Sequence, residues 1–397
     1  MGSLPLDGVR VIELGQLIAG PFAAKILGEF GAEIIKIEPP EIGDPLRKWR
    51  LLHNGTSVWW QVQSRNKQSV TLDLRQPEAQ GVVKKLVAEA DVLIENFRPG
   101  TLEKWGLGWD SLKAVNPKLI MLRVSGYGQT GPYRDRPGFG VIGEAMGGLR
   151  YLCGEPGQTP VRVGVSIGDS LSGLYGVIGV LLALLDRKKS DGAGQVIDVA
   201  LYESVFSIME SLLSEYSAFG AIREPAGSSL PGIAPSNAYL CRGGRYVLVA
   251  GNGDSIYKRL MRAIERDDLA DDPELSSNEG RARHVARIDD AIESWTSQRE
   301  LEEVLDVLQS ASVPVGPIYN AADISADPHY RARNMILRSS MPDGKTIEVP
   351  GIVPKLGRTP GQIRSEAPKL GQHTDRVLRG LGIDSTTCAE WRQRHII

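Results

Sequence analysis

Val9-Arg-Val-Ile-Glu-Leu14, Gly20-Pro-Phe-Ala-Ala-Lys-Ile-Leu-Gly-Glu-Phe30 and Ile34-Ile-Lys-Ile37 are the stretches that decide the fold. The first and third are short, rich in β-branched residues and read as buried strands, whereas the second opens on Gly-Pro and continues with helix formers. Strand, helix and strand within so few residues make a βαβ unit, the building block of a parallel sheet. The alternation continues outward: Ser69 to Leu74 is predicted as a strand, Pro77 to Glu89 as a helix with proline in its first turn, and Asp91 to Ile94 and Leu119 to Val124 as further strands. The fold class is therefore α/β, with a doubly wound parallel sheet. Later the pattern changes. Asn237 to Cys241, a Gly243-Gly244 turn and Arg245 to Ala250 read as a hairpin, followed by helical stretches over Ile256 to Ile264 and Val285 to Gln309, which suits a smaller α+β domain. Arg223 to Ser236 reads as a linker, and Val313 to Pro317 as a second turn-rich segment.

Composition narrows the function. The chain has 397 residues, 42% of them hydrophobic and 24% charged, which is the make-up of an ordinary soluble globular protein. A net charge of -2 provides no basic field for nucleic acid, so an anion must be met by a local pocket. Cys153, Cys241 and Cys388 are odd in number and far apart, which favours a reducing cytoplasm over a disulfide framework. The five histidines are isolated, so no metal is expected. The N-terminus lacks the pattern of a signal peptide, and no membrane partner is expected. The apolar run Leu171 to Leu185, interrupted by Ser172, Gly173, Gly176 and Gly179, reads as a buried helix.

Three local motifs suggest chemistry. Gly126-Tyr-Gly-Gln-Thr-Gly131 matches a dinucleotide fingerprint, but Pro132-Tyr-Arg-Asp-Arg-Pro137 cannot open the helix that would hold a pyrophosphate, so a turn-rich loop is expected. Gly164-Val-Ser-Ile-Gly168 follows a β-rich Val161 to Val165 and precedes a helix, as a nucleophile elbow does; Ser166 with a downstream histidine makes a serine hydrolase a competing reading. Asp169 stands at the start of the apolar helix. It reads first as an N-cap, and the positive end of the helix would also stabilise an ionised carboxylate able to attack a thioester.

A series of ordered segments then resembles the class III CoA-transferase family, which contains formyl-CoA transferase and the carnitine and bile-acid CoA-transferases. The segments are Leu6-Asp-Gly-Val-Arg-Val-Ile-Glu-Leu14, Ala19-Gly-Pro-Phe22, Leu27 to Glu38, Gly43-Asp-Pro-Leu-Arg47, Arg65-Asn-Lys-Gln-Ser69, Glu95-Asn-Phe-Arg-Pro-Gly100, Ser125 to Tyr133, Gly168-Asp169 and Ala367-Pro-Lys-Leu-Gly-Gln-His-Thr374. The resemblance implies a large Rossmann-like CoA-binding domain over 1–215 and 331–397, a small domain over 216–330, and two interlocked copies forming a homodimer. It implies a coenzyme A thioester as substrate, no tightly bound cofactor, and a nucleophile at Asp169. It places CoA near Leu17, Ser64, Arg65, Asn66, Lys67, Asn96, Phe97, Arg98 and Lys104, although Lys67 and Arg98 taken singly also read as solvated surface charge.

Departures from the family bear on the substrate. Formyl-CoA transferase has an arginine where this chain reads Ile37-Glu-Pro-Pro40, a glutamine at Ile18, and a Tyr-Glu pair at Phe139-Gly140; oxalate and formyl-CoA are therefore disfavoured. The related racemases need Gly-His-Asp where this chain has Gly138-Phe139-Gly140, which offers no acid/base pair for moving an α-proton. A double displacement through an aspartyl-CoA thioester is expected, with oxyanion donors from Pro231 to Pro235 or from the helix after Asp169. Arg47 and Arg50, with His53 beside them, read as spare cations for a second carboxylate, so the acceptor is expected to be a dicarboxylate and the donor succinyl-CoA. A non-catalytic CoA-binding protein on the same fold is the remaining alternative.

Overall fold

Six strands of the computed structural model form one sheet in the order Lys67–Thr71, Glu33–Glu38, Arg10–Glu13, Val92–Glu95, Ile120–Ser125 and Val196–Ala200. Every pairing in it is parallel. The structure describes residues 3–189 and 192–397, so the first two residues of the N-terminal leader reading fall outside it. Alternation along the strands sends successive side chains to opposite faces. Ile12, Ile35, Leu93 and Met121 enter a core shared with Val82 and Leu86 of the Pro77–Val87 helix, whereas Val11, Ile34, Ile94 and Leu122 enter one shared with Ala23 and Leu27 of Ala19–Glu29 and Val180 of Ile167–Lys189. Both faces are covered, which explains why the strands read as continuous apolar runs rather than alternating ones.

The chain moves outward from the Arg10–Glu13 strand to one edge, then returns to Val92–Glu95 and builds toward the other. The strand order thus reverses between these two neighbours. In open parallel sheets a ligand crevice forms at this switch, outside the carboxyl ends of the strands. Here that means the loops Leu14 to Ile18 and Asn96 to Pro99.

Several elements differ from the sequence reading. The strand expected from Ser69 begins at Lys67, because Lys67 and Gln68 pair with Ile34 and Ile35 at the sheet edge. Val313 to Pro317 is not only a turn, since Val315–Pro317 is a strand against Val247 to Val249. The β-rich Val161 to Val165 forms no strand and is exposed. The apolar run is a 23-residue helix, Ile167–Lys189, and is not wholly buried. Its small residues pack inward: a Cβ on Gly173 would stand 2.9 Å from the Ala19 carbonyl oxygen, and one on Gly176 2.7 Å from Leu122. Leu174, Ile178, Leu181, Leu182 and Leu185 face outward and are exposed. By length and composition it is the one described helix able to cross a membrane.

The chain divides into two compact units: Met1–Arg150, Arg162–Ala221 and Arg331–Ile397 form the first, and Tyr151–Val161 with Ile222–Tyr330 the second. In the second, the antiparallel strands Ser236–Leu240, Tyr246–Ala250 and Val315–Pro317 pack with helices Asp254–Ala263, Val285–Thr296 and Leu301–Ser310 around Tyr239, Leu260, Ile292 and Leu308. Gly243 and Gly244, at φ 83° and 82°, make the hairpin turn that side-chain-bearing residues rarely adopt.

Candidate active site

A cleft of about 420 Å³ lies at the switch point. Its walls include Gln16, Leu17, Ile18, Asn96, Phe97, Arg98, Phe139 and Asp169, with Val124 to Gly126 and Leu201 from the ends of the next strands. Each segment therefore arrives from the carboxyl end of a sheet strand, apart from the loop at Phe139 and the first turn of the helix carrying Asp169.

The first loop is strained and held from below. Leu17 has φ 63°, a left-handed conformation that costs a side-chain-bearing residue about 1–3 kcal/mol and persists only where its surroundings enforce it. Its N–H donates to both oxygens of buried Asp44, at 3.1 and 3.2 Å. Asp44 pairs with Lys36 at 2.9 Å, and Lys36 bonds Glu13 and the Gly15 carbonyl at 2.8 Å each. Lys67 closes the cluster through Glu13 and the Pro21 carbonyl, each at 2.8 Å. Burial pushes the Lys67 ammonium down to about 8, with Glu13 opposing and Lys36 adding to the shift. For Asp44, burial raises the pKa but Lys36 and the N–H groups of Leu46 and Leu17 outweigh it, holding the carboxyl below its usual range. Removing one member leaves buried charge uncompensated, which typically costs 3–5 kcal/mol. Asp44→Asn is accordingly expected to lower stability by about 3 kcal/mol in chemical denaturation and to raise KM for the acyl-CoA. An unchanged midpoint would show that the cluster does not hold the loop.

The second loop is clamped in the same manner. Asn96 accepts from the Gln16 N–H and donates to the Gln16 carbonyl, at 2.8 Å each, tying the loops together. The Phe97 N–H donates to Glu95 at 2.8 Å, and Glu95 bonds Arg123 at 2.7 Å. Phe97 meets Trp105 edge-on, with centroids 5.3 Å apart.

Asp169 is the third residue of the Ile167–Lys189 helix rather than its N-cap, so its charge lies in the first turn, where the helix dipole still favours an anion. It is half-buried, and its carboxylate accepts no hydrogen bond from the described residues. Burial pushes its pKa up to about 6, with Arg162 opposing. The carboxylate rests against Gly140: a Cβ there would stand 2.7 Å from Asp169 Cγ and closer still to Oδ2. Position 140 must be glycine for the carboxylate to lie where it does.

The remaining expected site residues are elsewhere. Ser64 is buried, Arg65 bonds Glu29 at 2.6 Å, and Asn66 accepts from the N–H groups of Arg364 and Ser365 at 2.6 and 3.0 Å. None of these lines the Asp169 cleft, nor does Lys67 or exposed Lys104. The spare-cation reading needs correction. Arg47 is bound bidentately to Glu38 at 2.7 and 2.8 Å and stacks on Trp60, and His53 bonds Asp343 at 2.7 Å, whereas Arg50, over Trp59, pairs with no carboxylate among the described residues. None of the three lines the cleft. The sequence reading missed Asp44 and Glu95, although both lie inside motifs it singled out.

The hydrolase geometry is absent among the described residues. Ser166 has no strand before it, and His373, His395 and His284 are placed against Ser69, Glu41 and Glu274 respectively. The first glycine of the dinucleotide-like motif has a packing role: a Cβ on Gly126 would stand 2.9 Å from the Gly138 Cα.

Residues 6–374 match the family model described as CoA-transferase family III. The chain belongs to CoA-transferase family III. It is similar to succinyl-CoA–D-citramalate CoA-transferase of Chloroflexus aurantiacus, at 47% identity over 99% of this chain and 98% of that one. It is also similar to human succinyl-CoA:glutarate CoA-transferase, at 30% identity over 94% of this chain and 85% of that one. A solved CaiB/BaiF family protein from Brucella suis matches with a TM-score of 0.85 and 34% identity, covering 96% of this chain and 100% of that one. The family III chain is thus a class III CoA-transferase, and the α/β reading of its first segments agrees with the fold of that relative.

Proposed function

We propose that this enzyme moves coenzyme A from succinyl-CoA to a small dicarboxylic acid, with Asp169 as the covalent carrier. The observation that carries the reading is the Asp169 carboxylate itself: half-buried, free of hydrogen bonds from the described residues, and on the wall of the switch-point cleft. A carboxylate with a pKa near 6 is about tenfold more ionised than protonated at pH 7, and it is more basic than an ordinary aspartate. It combines charge with nucleophilicity.

Asp169 attacks the donor thioester carbonyl, giving a mixed anhydride and expelling CoA thiolate. The thiolate attacks the aspartyl carbonyl of the anhydride, releasing succinate and forming aspartyl-CoA thioester. The acceptor carboxylate then displaces the thiolate, forming a second anhydride, and the thiolate attacks its acyl carbonyl to give product and free Asp169. No bound cofactor enters these steps. Phe97 and Gln16 also line a second cleft of about 550 Å³ whose walls include Arg75, Arg394 and His395. The thioester end of CoA lies beside Asp169 in this reading, and the rest of the molecule extends past Phe97 into the second cleft, where Arg75 and Arg394 are held by Asp73 and Glu78. The dicarboxylate preference draws support from the Chloroflexus and human relatives, which are named for citramalate and glutarate. Exposed Phe139, Ile142, Leu182, Leu213 and Phe219 support association with a second copy of the chain, because apolar surface of this extent is seldom left in water. The three separated cysteines suit a cytoplasmic setting.

Incubation with succinyl-CoA and a panel of mono- and dicarboxylates, followed by mass analysis of CoA esters, tests this. New esters of dicarboxylates are expected. Hydrolysis to free CoA without any new ester would contradict it.

A further inference from the structure

A short diacid needs a cation for its second carboxylate, and the cations expected for that task are not in the cleft. Two guanidinium groups are, Arg98 and Arg136. Arg98 belongs to the Asn96 to Pro99 loop beside Phe97, which faces both clefts, and it donates to the Asp135 carbonyl at 3.3 Å. Arg162 acts on the charge of Asp169 but is not on the cleft wall.

Arg136 differs from these. It lies four residues before Gly140, the residue against which the Asp169 carboxylate rests. Its segment is fixed by the close approach of Gly138 to Gly126, where a Cβ on either glycine would fall within 2.9 Å of the other's Cα. Its guanidinium stands 3.6 Å from the centroid of Tyr133, which itself meets Tyr127 edge-on at 6.0 Å. Stacking of this kind orders the planar group and leaves its in-plane donors free for a carboxylate. It pairs with no carboxylate among the described residues, although ion pairs are common in the rest of the chain.

We infer that Arg136 binds the second carboxylate of the substrate and makes the enzyme selective for dicarboxylates. This rests on the transferase reading above. It extends that reading by assigning acceptor and donor selectivity to one side chain, since both acids occupy the same place in successive half-reactions. In a double displacement, kcat/KM for the donor reports the first half-reaction alone, so donor selectivity can be measured at one fixed acceptor concentration.

The test compares succinyl-CoA with butyryl-CoA, which has the same chain length without the distal charge. Arg136→Gln is expected to lower kcat/KM for succinyl-CoA about 10- to 100-fold, the usual effect of losing a charge-assisted hydrogen bond, and to affect butyryl-CoA far less. Arg136→Lys should restore part of the succinyl-CoA rate. An equal fall for both donors would place Arg136 on the CoA moiety and overturn the inference, as would no fall for succinyl-CoA. Wild-type enzyme inactive with every acyl-CoA would overturn the transferase reading, and this inference with it.

Discussion

Asp169→Ala is expected to abolish CoA transfer, lowering turnover on the order of 10⁴-fold or more, because it removes the only route through covalent intermediates. The fold should survive. Its carboxyl pKa rises from the ordinary 3.8 to about 6 in the native state, so the stability this group contributes is fully present below 3.8 and is lost as pH climbs through 6. At neutral pH the ionised carboxylate is therefore a net cost to folding. Asp169→Asn, which removes the charge and keeps the shape, should melt no lower than wild type at pH 7.5. The same pKa sets the acid limb of the rate: kcat/KM should rise with pH, reach half its plateau near pH 6 and level off above it, because only the ionised form attacks. Ser166→Ala should retain activity. A dead serine variant beside an active aspartate variant would restore the hydrolase reading.

Gly140→Ala is expected to be the most damaging single methyl group in the site. The new Cβ would overlap the Asp169 carboxylate, approaching Oδ1 to 3.1 Å, Cγ to 2.7 Å and Oδ2 more closely still. A short aspartate side chain on the first turn of a helix has few rotamers to escape into, so the carboxylate must leave its place. A displacement of about 1 Å at a reacting group commonly costs about 100-fold in rate, and that loss is expected in kcat with a smaller change in KM. The melting temperature should move little, since the methyl displaces a half-buried side chain rather than core. Activity within a factor of two of wild type would mean that the carboxylate does not react from the position it occupies here.

The parallel sheet was legible because its strands are short apolar runs with β-branched residues, and both faces of the sheet are buried. The buried charges were not. Glu13 and Lys36 lie directly opposite one another on neighbouring strands, a relation that exists only once strand order and register are known. Lys67, read singly as solvated charge, and Arg47, read as a spare cation, are instead surrounded in the fold by Glu13 and Glu38. Val161 to Val165 misled in the opposite way: β-branched residues favour a strand only where a neighbouring strand receives them, and this segment has none. The helix after Gly168 was evident from its apolar run, but its start was placed too late, which made Asp169 a cap instead of a first-turn residue. Arg136 carries no periodic or motif signal. It became visible only when the Gly126 and Gly138 contact brought its segment to the cleft.

The central claim is that Asp169 becomes acylated, and chemical trapping tests it most directly. Enzyme incubated with succinyl-CoA in the absence of acceptor, then treated with hydroxylamine or borohydride and digested, should carry the modification on the peptide containing Gly168-Asp169-Ser170. A hydrolase would instead acylate Ser166, and a binding protein would acquire no label. If that peptide emerges unmodified from enzyme that is turning over, Asp169 is not the carrier and the covalent mechanism is wrong.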